Sequence, residues 1–356
     1  MHMRRLVSLL LAVVMLAFPI FTTDATGEKS GFCIHFIDVG QADAAVVICD
    51  DEVLMIDGGN AADSSLIYSY LTNTLGLSHI DYMIGTHAHE DHIGGLAGAM
   101  NACTVGVVYS PVTEYDSKTF RNFKKYADRQ GCGLTVPSVG DVFSVGSATV
   151  QFLSPAYRYE STNDTSIVVR IVYGQTAFLF TGDAEWAPEH DLVDSGYDLS
   201  STLLKVGHHG SDTSTSYVFL REVMPQYAVI SVGSDNSYGH PTDAVLSRLR
   251  DADVTVYRTD LQGDIICYSD GVTLTFTMEK DTPASDNRQT TAPAPVETVA
   301  PDTSGAAPYI GNRNSKKLHY ADCSSVGDMK EKNKVEFYSR DEAINQGYEP
   351  CKRCNP

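Results

Sequence analysis

One stretch, residues 86–95, constrains this chain more than any other. It reads Thr-His-Ala-His-Glu-Asp-His-Ile-Gly-Gly and brings three imidazoles and a carboxylate close together in sequence: His87, His89, Asp91 and His92. Residues 80–85 before it have the apolar character of a strand, so alternate histidines can face one way at the strand end. Imidazole with carboxylate is a donor set that zinc and similar divalent cations favour. A polar loop that is histidine-rich by chance is the weaker interpretation, because the ligand types stand at fixed places.

The charge limits what the surface as a whole can bind. With 26 Lys+Arg against 45 Asp+Glu, the 356-residue chain has a formal charge of −19, which disfavours long-range attraction of nucleic acid. From Tyr309 onward, however, 9 Lys+Arg stand against 7 Asp+Glu. Any binding of a polyanion is therefore expected in this tail or at bound metal ions.

The two ends of the chain and one internal segment set the domain organisation. Residues 1–25 have a basic start, an apolar run and a small polar end, the pattern of an export signal. We expect a secreted protein; retention of this signal as a membrane tether stays open, because no cleavage site is clean. Residues 280–308 are rich in Thr, Pro and Ala, which predicts a disordered linker. It separates a large domain at 31–279 from a tail domain at 309–356.

Within the large domain, apolar runs predict strands interrupted by helices. Alternation predicts strands at 32–39, 44–48, 53–56, 80–85 and 105–109, several between 134 and 180, and short ones at 203–206, 227–232, 254–257, 264–268 and 272–278. Helical periodicity covers 64–75, 117–130 and 243–250. The pattern alone predicts a mixed α+β domain.

Two later strand ends carry further candidate ligands. Asp183 follows an apolar run and Gly182, a placement that suits a carboxylate bridging two cations; an ordinary turn aspartate is the alternative. His208 and His209 follow the run at 203–206, and one of them is the expected last ligand. Lys205, just before them, is either a strand-end lysine or a phosphate contact.

The stretch at 86–95 resembles the signature of the metallo-β-lactamase superfamily, which implies an αββα sandwich. Six blocks in one order narrow the resemblance to the extracellular hydrolase domain of the ComEC family of DNA-uptake channels and its free-standing secreted relatives: residues 36–44, 56–59, 163–169, 182–183, 204–211 and 238–241. The similarity covers about residues 31–278. It departs from the family at Gln41-Ala42-Asp43, where Gln-Gly-Asp is usual. The membrane helices of the channel are absent from this sequence, so we expect no transmembrane channel of its own.

This resemblance implies two divalent metal ions, zinc or manganese, sharing Asp183. His87 and His89 would hold one ion, and Asp91, His92 and a later histidine the other. The family pattern favours His209 as that ligand and leaves His208 facing substrate, with the reverse assignment open.

The resemblance also implies roles outside the ligand set. Asp57 would hydrogen-bond and orient a motif histidine. The superfamily commonly supplies one more histidine before the bridging aspartate, but none occurs between His92 and His190. Asn163 and Asp164 occupy the corresponding place, and one ion would therefore be short of a ligand.

The tail carries a second candidate metal site. His319-x3-Cys323 and Cys351-x2-Cys354 have the spacing of a site with one structural zinc. About fifty residues bury little core, so a zinc staple makes physical sense; disulfide bonding is the rival. The segment resembles the small zinc domain of the Ada DNA-repair protein, with a strand near 335–338 and a helix from 339 or 340 to 345. Its lysines and arginines would contact phosphates or simply be solvated.

These features together favour an exported metal-dependent hydrolase, specifically a phosphodiesterase or nuclease acting on extracellular DNA. Asp91, His208 and His240 are the expected catalytic residues, although His240 before Pro241 equally suits a structural loop. The alternatives are an esterase for cell-wall phosphoesters (choline-phosphate or teichoic-acid), a lactone hydrolase, and a non-catalytic DNA-binding protein.

Overall fold

The computed structural model describes residues 31–155, 159–280 and 282–284, and in the tail 309–321, 323–327, 329–337, 343, 346–351 and 354. The export signal at 1–25, most of the linker at 280–308 and nearly all of the helix expected at 339–345 lie outside the described residues. None of the helices in the described ranges combines the length and apolar character needed to cross a bilayer.

The first sheet has seven strands in the order β14-β13-β1-β2-β3-β4-β5. They are β1 (Phe32–Phe36), β2 (Ala44–Cys49), β3 (Glu52–Gly58), β4 (His79–Ile84), β5 (Thr104–Tyr109), β13 (Ile265–Ser269) and β14 (Leu274–Met278). The pairs from β14 to β3 are antiparallel, and β3-β4 and β4-β5 are parallel.

The second sheet also has seven strands, in the order β12-β11-β10-β9-β8-β7-β6. They are β6 (Val142–Val145), β7 (Ala148–Ser154), β8 (Val168–Tyr173), β9 (Thr176–Phe180), β10 (Leu203–Lys205), β11 (Tyr227–Ile230) and β12 (Thr255–Arg258). The pairs from β6 to β9 are antiparallel and those from β9 to β12 are parallel. The second sheet therefore repeats the pairing scheme of the first.

The two sheets pack face to face through aromatic rings of their central strands. Phe32 of β1 stacks on Phe178 of β9 at a ring-centroid distance of 4.7 Å, and Phe36 stacks on Phe180 at 5.8 Å. Period-2 alternation places these side chains on the inner faces, where burial of apolar area drives the packing. This confirms the expected αββα sandwich with a core between its sheets.

Helices cover both outer faces. Over the first sheet lie α1 (Ser64–Ser69), continued by a π-helical turn (Tyr70–Thr74), α2 (Glu90–Ile93), α3 (Leu96–Ala102) and α4 (Lys118–Gln130); over the second lie α5 (Trp186–Asp194), α6 (Tyr217–Val223) and α7 (Asp243–Asp251). A short α8 (Thr259–Gln262) follows β12. The helix predicted at 117–130 is α4. Ser117 caps its start by accepting a hydrogen bond from Phe120 N, and Gly131 ends it at φ +84°.

Two predictions within this domain are wrong in detail. Residues 134–141 form no regular strand apart from a single bridge between Tyr109 and Thr135. The helices α5 and α6 were not predicted at all. The first contains Pro188 and buries Glu189, so its apolar periodicity is weak, and the second has only 7 residues.

The tail forms a small four-stranded sheet in the order β17-β15-β16-β18. The strands are β15 (Tyr309–Asn312), β16 (Lys317–Tyr320), β17 (Lys334–Phe337) and β18 (Glu349–Pro350), with a short α9 (Ser324–Gly327). Its apolar contacts divide into two small clusters, one around Ile310 and Cys323 and one around Leu318 and Phe337. Cores of this size give little stability unaided.

His35, in β1, is a buried histidine that makes acid stability testable. Its Nδ1 lies 3.1 Å from the Tyr70 hydroxyl, and burial lowers its pKa from the usual 6.5 to about 4. Between these two values the unfolded chain binds more protons than the folded one, so stability is lost as the pH falls. Between about pH 7 and about pH 4.5, His35 should account for a loss of roughly 2–3 kcal/mol in the free energy of unfolding. His35→Gln keeps a polar partner for Tyr70 but does not titrate, so we expect the variant to lose that much less stability over the same range. Urea unfolding at both pH values measures this, and an unchanged loss would contradict it.

Candidate metal centres

The larger candidate site lies where strand ends from both sheets meet. His87 and His89 follow the carboxyl end of β4, and Asp91 and His92 lie on α2 directly after it. From the second sheet, Asp183 follows β9 and His209 follows β10. Because carboxyl ends of neighbouring parallel strands share one edge of a sheet, three separate strand-end segments converge here.

Two groups of side chains share Asp183. The first contains His87, His89 and Asp183, and the second contains Asp91, His92, Asp183 and His209; within each group the ligand atoms lie within 4.8 Å of one another. The two oxygens of the shared carboxylate face different groups. Asp183 Oδ2 is 3.8 Å from His87 Nε2, whereas Oδ1 is 3.2 Å from His92 Nε2 and 3.7 Å from His209 Nε2. This is the arrangement of a bridging carboxylate.

Two of the candidate ligand atoms form no hydrogen bond within the described part of the protein. His92 Nε2 and Asp183 Oδ1 are both buried and lie 3.2 Å apart, yet the geometry gives neither a hydrogen bond to the other or to any further described residue. Buried polar atoms rarely stay unsatisfied, so two of them facing a common point indicate a ligand between them. Imidazole nitrogens with carboxylate oxygens are a donor set for zinc or manganese. The residues therefore fit two divalent cations.

Electrostatics leads to the same assignment. Burial holds the pKa of His87 well below its usual value, so that imidazole stays neutral, which is the form that binds metal. Burial also disfavours charge on His209, but Asp183 and Asp43 outweigh it and raise the pKa of His209 to about 10. The carboxylates around His209 thus favour a positive charge at this point, and a divalent cation supplies one.

Asp57, at the end of β3, holds one candidate ligand in place. Its Oδ2 lies 2.8 Å from His92 Nδ1 and accepts from the Thr86 hydroxyl at 2.7 Å, while its Oδ1 accepts from Thr86 N at 2.8 Å. A carboxylate on Nδ1 presents the Nε2 lone pair of His92 to the cluster. Asp57 therefore lies where the resemblance implies.

Replacing Asp57 with asparagine is expected to weaken metal binding about 10–100-fold. Asp57 adopts φ +58°, which asparagine tolerates, so the backbone should persist while the amide no longer matches both the Thr86 hydroxyl and His92 Nδ1. Isothermal titration with zinc or manganese measures the change. Asp81→Asn is the matched control, since Asp81 accepts a hydrogen bond from Val53 N at 2.8 Å outside the ligand groups. Equal affinities in both variants would contradict the assignment.

Asp43 and Lys205 form a buried pair behind the cluster that sequence reasoning did not assign to the site. Lys205 Nζ lies 2.7 Å from Asp43 Oδ2, and the other oxygen of Asp43 lies 3.1 Å from His209 Nδ1. Lys205 is only 3% exposed, so it neutralises Asp43 and does not reach a substrate phosphate. The available signal was an acidic residue in the turn before β2, within the block at 36–44.

His208 lies at the open side of the group that contains His87. Its Nε2 is 3.8 Å from Asp183 Oδ2 and 3.4 Å from Asn163 Nδ2, while its Nδ1 is 3.3 Å from Glu185 Oε1. Glu185, which sequence reasoning missed, thus faces the ring nitrogen that points away from Asp183. The structure places His209 within a ligand group and His208 beside one.

Residues 163–166 occupy the place of the missing histidine, and they contact different parts of the site. Asn163 faces His208, whereas Asp164 accepts a hydrogen bond from Glu185 N at 3.1 Å and belongs to neither ligand group. Ser166 from the same segment accepts from Asp183 N at 3.0 Å. The segment therefore positions Asp183 and Glu185 more than it adds a ligand.

The backbone at the two adjacent histidines is unusual. His208 and His209 adopt φ +50° and +52°, which non-glycine residues rarely do and which costs of order 1–3 kcal/mol each. The following loop is tied down to compensate: Arg248 donates to Thr215 O at 2.8 Å and Ser214 O at 2.9 Å. Glycine is required at 210, since a Cβ there would lie 2.6 Å from Pro241 Cβ.

The tail holds the second candidate metal site. His319, Cys323, Cys351 and Cys354 place one ligand atom each within 4.8 Å of the others. All eight cysteines of the chain are free thiols. Four convergent donors of this type fit one tetrahedral zinc, whereas a disulfide would join two sulfurs and leave the histidine without a role.

Comparison with known proteins gives matches at the level of family. Residues 37–234 match the sequence profile of a family described as the metallo-beta-lactamase superfamily. The competence protein ComA of Neisseria gonorrhoeae is 32% identical over 71% of this chain and 34% of its own length. ComE operon protein 3 of Bacillus subtilis is 30% identical over 65% of this chain and 32% of its own length.

The chain thus spans about a third of the length of these curated relatives. Among solved structures, the metallo-beta-lactamase fold protein YhfI from Bacillus subtilis aligns with a TM-score of 0.46 at 14% identity, covering 67% of this chain and 100% of that one.

Proposed function

Because this chain belongs to the metallo-beta-lactamase superfamily and is homologous to competence proteins of the ComA and ComEC type, we propose that it is an exported nuclease, a metal-dependent phosphodiesterase acting on extracellular DNA. The single observation that supports this best is the pair of ligand groups that share Asp183. Two neighbouring cations, when bound, polarise phosphoryl oxygens and lower the pKa of water.

The chain's own residues supply orientation and proton transfer. Asp183 belongs to both ligand groups and fixes their spacing. Asp57 orients His92 through its Nδ1, and the Ser231 carbonyl, 3.0 Å from His209 Nδ1, orients His209 with Asp43 beside it. His208 faces the open side with Glu185 on its Nδ1, so the carboxylate stabilises the ring when its Nε2 carries a proton for a phosphoryl oxygen. In this proposal His240, which packs edge-on against His208 at 5.7 Å, contacts the substrate beside the leaving oxygen.

Export is the second part of the proposal. Its support is the signal-like pattern at 1–25 and the Thr/Pro/Ala-rich segment at 280–308. Expression of the full chain in a secreting bacterial host tests it. Recovery from the medium with residues 1–25 removed is expected, recovery on the cell surface with an intact start would show the tether, and retention inside the cell would overturn export.

A panel of phosphodiesters tests the reaction. Purified full-length protein, loaded with zinc or manganese, is incubated with single-stranded DNA, duplex DNA and a chromogenic phosphodiester, and products are separated by electrophoresis. Metal-dependent hydrolysis of DNA is expected. Intact DNA under both metals would overturn the nuclease.

An esterase for cell-wall phosphoesters is the second candidate, and zwitterionic choline-phosphate esters suit the −19 charge of the chain, which repels polyanions such as DNA. Teichoic acid that carries choline-phosphate separates the two in the same assay. Its hydrolysis with DNA left intact would favour the esterase.

A further inference from the structure

A series of aromatic rings leads from the metal centre out to solvent. His208, whose Nε2 lies 3.8 Å from Asp183 Oδ2, meets His240 edge-on at a centroid distance of 5.7 Å. Tyr238 then stacks on His240 at 5.7 Å with an interplanar angle of 25°. Tyr238 is 71% exposed, so its ring is open to solvent within two ring contacts of a candidate ligand group.

This exposure is built into the loop. The Asn236 side chain accepts hydrogen bonds from Tyr238 N at 3.2 Å and His240 N at 3.0 Å, and donates to His240 O at 2.7 Å and Gly233 O at 2.8 Å. Gly233 N in turn donates to the Gln41 side chain at 3.1 Å. These four hydrogen bonds fix the backbone around Tyr238, so the loop that carries its exposed ring is ordered before a ligand binds.

His240 adds an independent sign of a binding site. Its Nδ1 is buried and has no hydrogen-bond partner among the described residues. A buried ring nitrogen without a partner requires explanation. This unsatisfied nitrogen belongs to the ring on which Tyr238 stacks.

We propose that Tyr238 and His240 form a stacking subsite for an unpaired nucleobase, which makes single-stranded nucleic acid the substrate class; this rests on the proposed nuclease function. Duplex binding depends mainly on Lys and Arg contacts to phosphates. Two cations near the cluster are held within the protein, Lys205 by Asp43 and Arg248 by the carbonyls of Thr215 and Ser214. Aromatic stacking adds a contact that a single strand can make and a duplex cannot, because neighbouring base pairs cover the π-faces of the bases in a duplex.

Substrates that differ only in their bases test the subsite. We compare a thymidine oligonucleotide, the same backbone with abasic residues, and a duplex, using the metal-loaded full-length protein. We expect kcat/KM for the thymidine strand to exceed that for the abasic strand roughly 5- to 100-fold, the effect of one stacked base. Duplex should be cleaved no better than the abasic strand.

Variants test whether the Tyr238 ring causes the preference for a strand that carries bases. Tyr238→Ala should raise KM for the thymidine strand toward the abasic value and so remove most of the preference for bases, and Tyr238→Phe should restore that preference. Tyr68→Ala is the matched control, since Tyr68 is 46% exposed on α1. Equal losses on both strands in Tyr238→Ala, or full cleavage of duplex, would overturn the subsite.

A binding measurement separates this inference from the nuclease itself. Fluorescein-labelled thymidine and abasic strands are titrated with the metal-loaded protein and with Tyr238→Ala, and fluorescence anisotropy measures binding. The unaltered protein should bind the thymidine strand more tightly than the abasic strand, and Tyr238→Ala should lose that difference. Base-dependent binding without cleavage would overturn the nuclease and keep the subsite, cleavage without base dependence would do the reverse, and hydrolysis of teichoic acid with no oligonucleotide binding would overturn both.

Discussion

Asp183→Ala is expected to lower kcat/KM for phosphodiester hydrolysis by at least about 1000-fold. Its two oxygens face separate ligand groups, so one substitution removes a ligand from both candidate cations. Metal ions supply several kcal/mol of transition-state stabilisation, and each 1.36 kcal/mol is tenfold in rate. Hydrolysis of a chromogenic phosphodiester measures the rate, and elemental analysis measures the metal bound per large domain, which should fall together with the rate.

Asp194→Ala provides the matched control for this change. Asp194 lies on α5, is exposed, and pairs with His190 at 3.3 Å. Surface pairs of this kind contribute little to stability, so rate and metal content should match those of the unaltered protein. If Asp183→Ala kept its metals and lost only a few-fold in rate, the assignment of a bridging carboxylate would be wrong.

Cys351→Ser is expected to remove zinc from the tail and to unfold the tail. The tail clusters around Ile310 and Leu318 are small, whereas a structural zinc contributes on the order of 10 kcal/mol to folding in small domains. Zinc content should drop by one per chain, and limited proteolysis should cut within residues 309–356. Hydrolysis of a small phosphodiester should persist, because the ligand groups of the large domain contain no cysteine.

Cys132→Ser is the control, since Cys132 is a half-buried free thiol of the large domain. It should leave both zinc content and the proteolysis pattern of the tail unchanged. An unaltered zinc content in Cys351→Ser would contradict Cys351 as a ligand, and a tail that resists proteolysis after losing its zinc would show that it folds on its apolar contacts alone.

Much of the fold could be predicted because its strands depend on local patterns. The β8–β9 hairpin follows from two apolar runs and the turn at 173–175, and α4 follows from its periodicity and its caps. The helix α5 could not be predicted, because its pattern depends on distant residues. Glu189 looks like a surface residue in sequence, but it is buried and its carboxylate accepts a hydrogen bond from Ser216 N at 2.9 Å.

The sequence by itself determined the chemistry of both candidate metal centres. Short spacing at 87–92 and in the two tail pairs keeps donors together whatever the rest of the chain does, because ligands a few residues apart cannot separate far. That is why the histidines of the large domain and the cysteines of the tail could be assigned as candidates before any fold was known.

Only the tertiary structure decided which atoms of the donors face each other and what surrounds them. The two oxygens of Asp183 take different partners, and Asp43 reaches both Lys205 and His209, because two sheets from distant parts of the chain meet at one edge. The exposed ring of Tyr238 beside His240 likewise depends on the Asn236 hydrogen bonds. Contacts between residues far apart in sequence leave no local periodicity. These contacts could therefore be identified only in the folded structure, where the two sheets pack together.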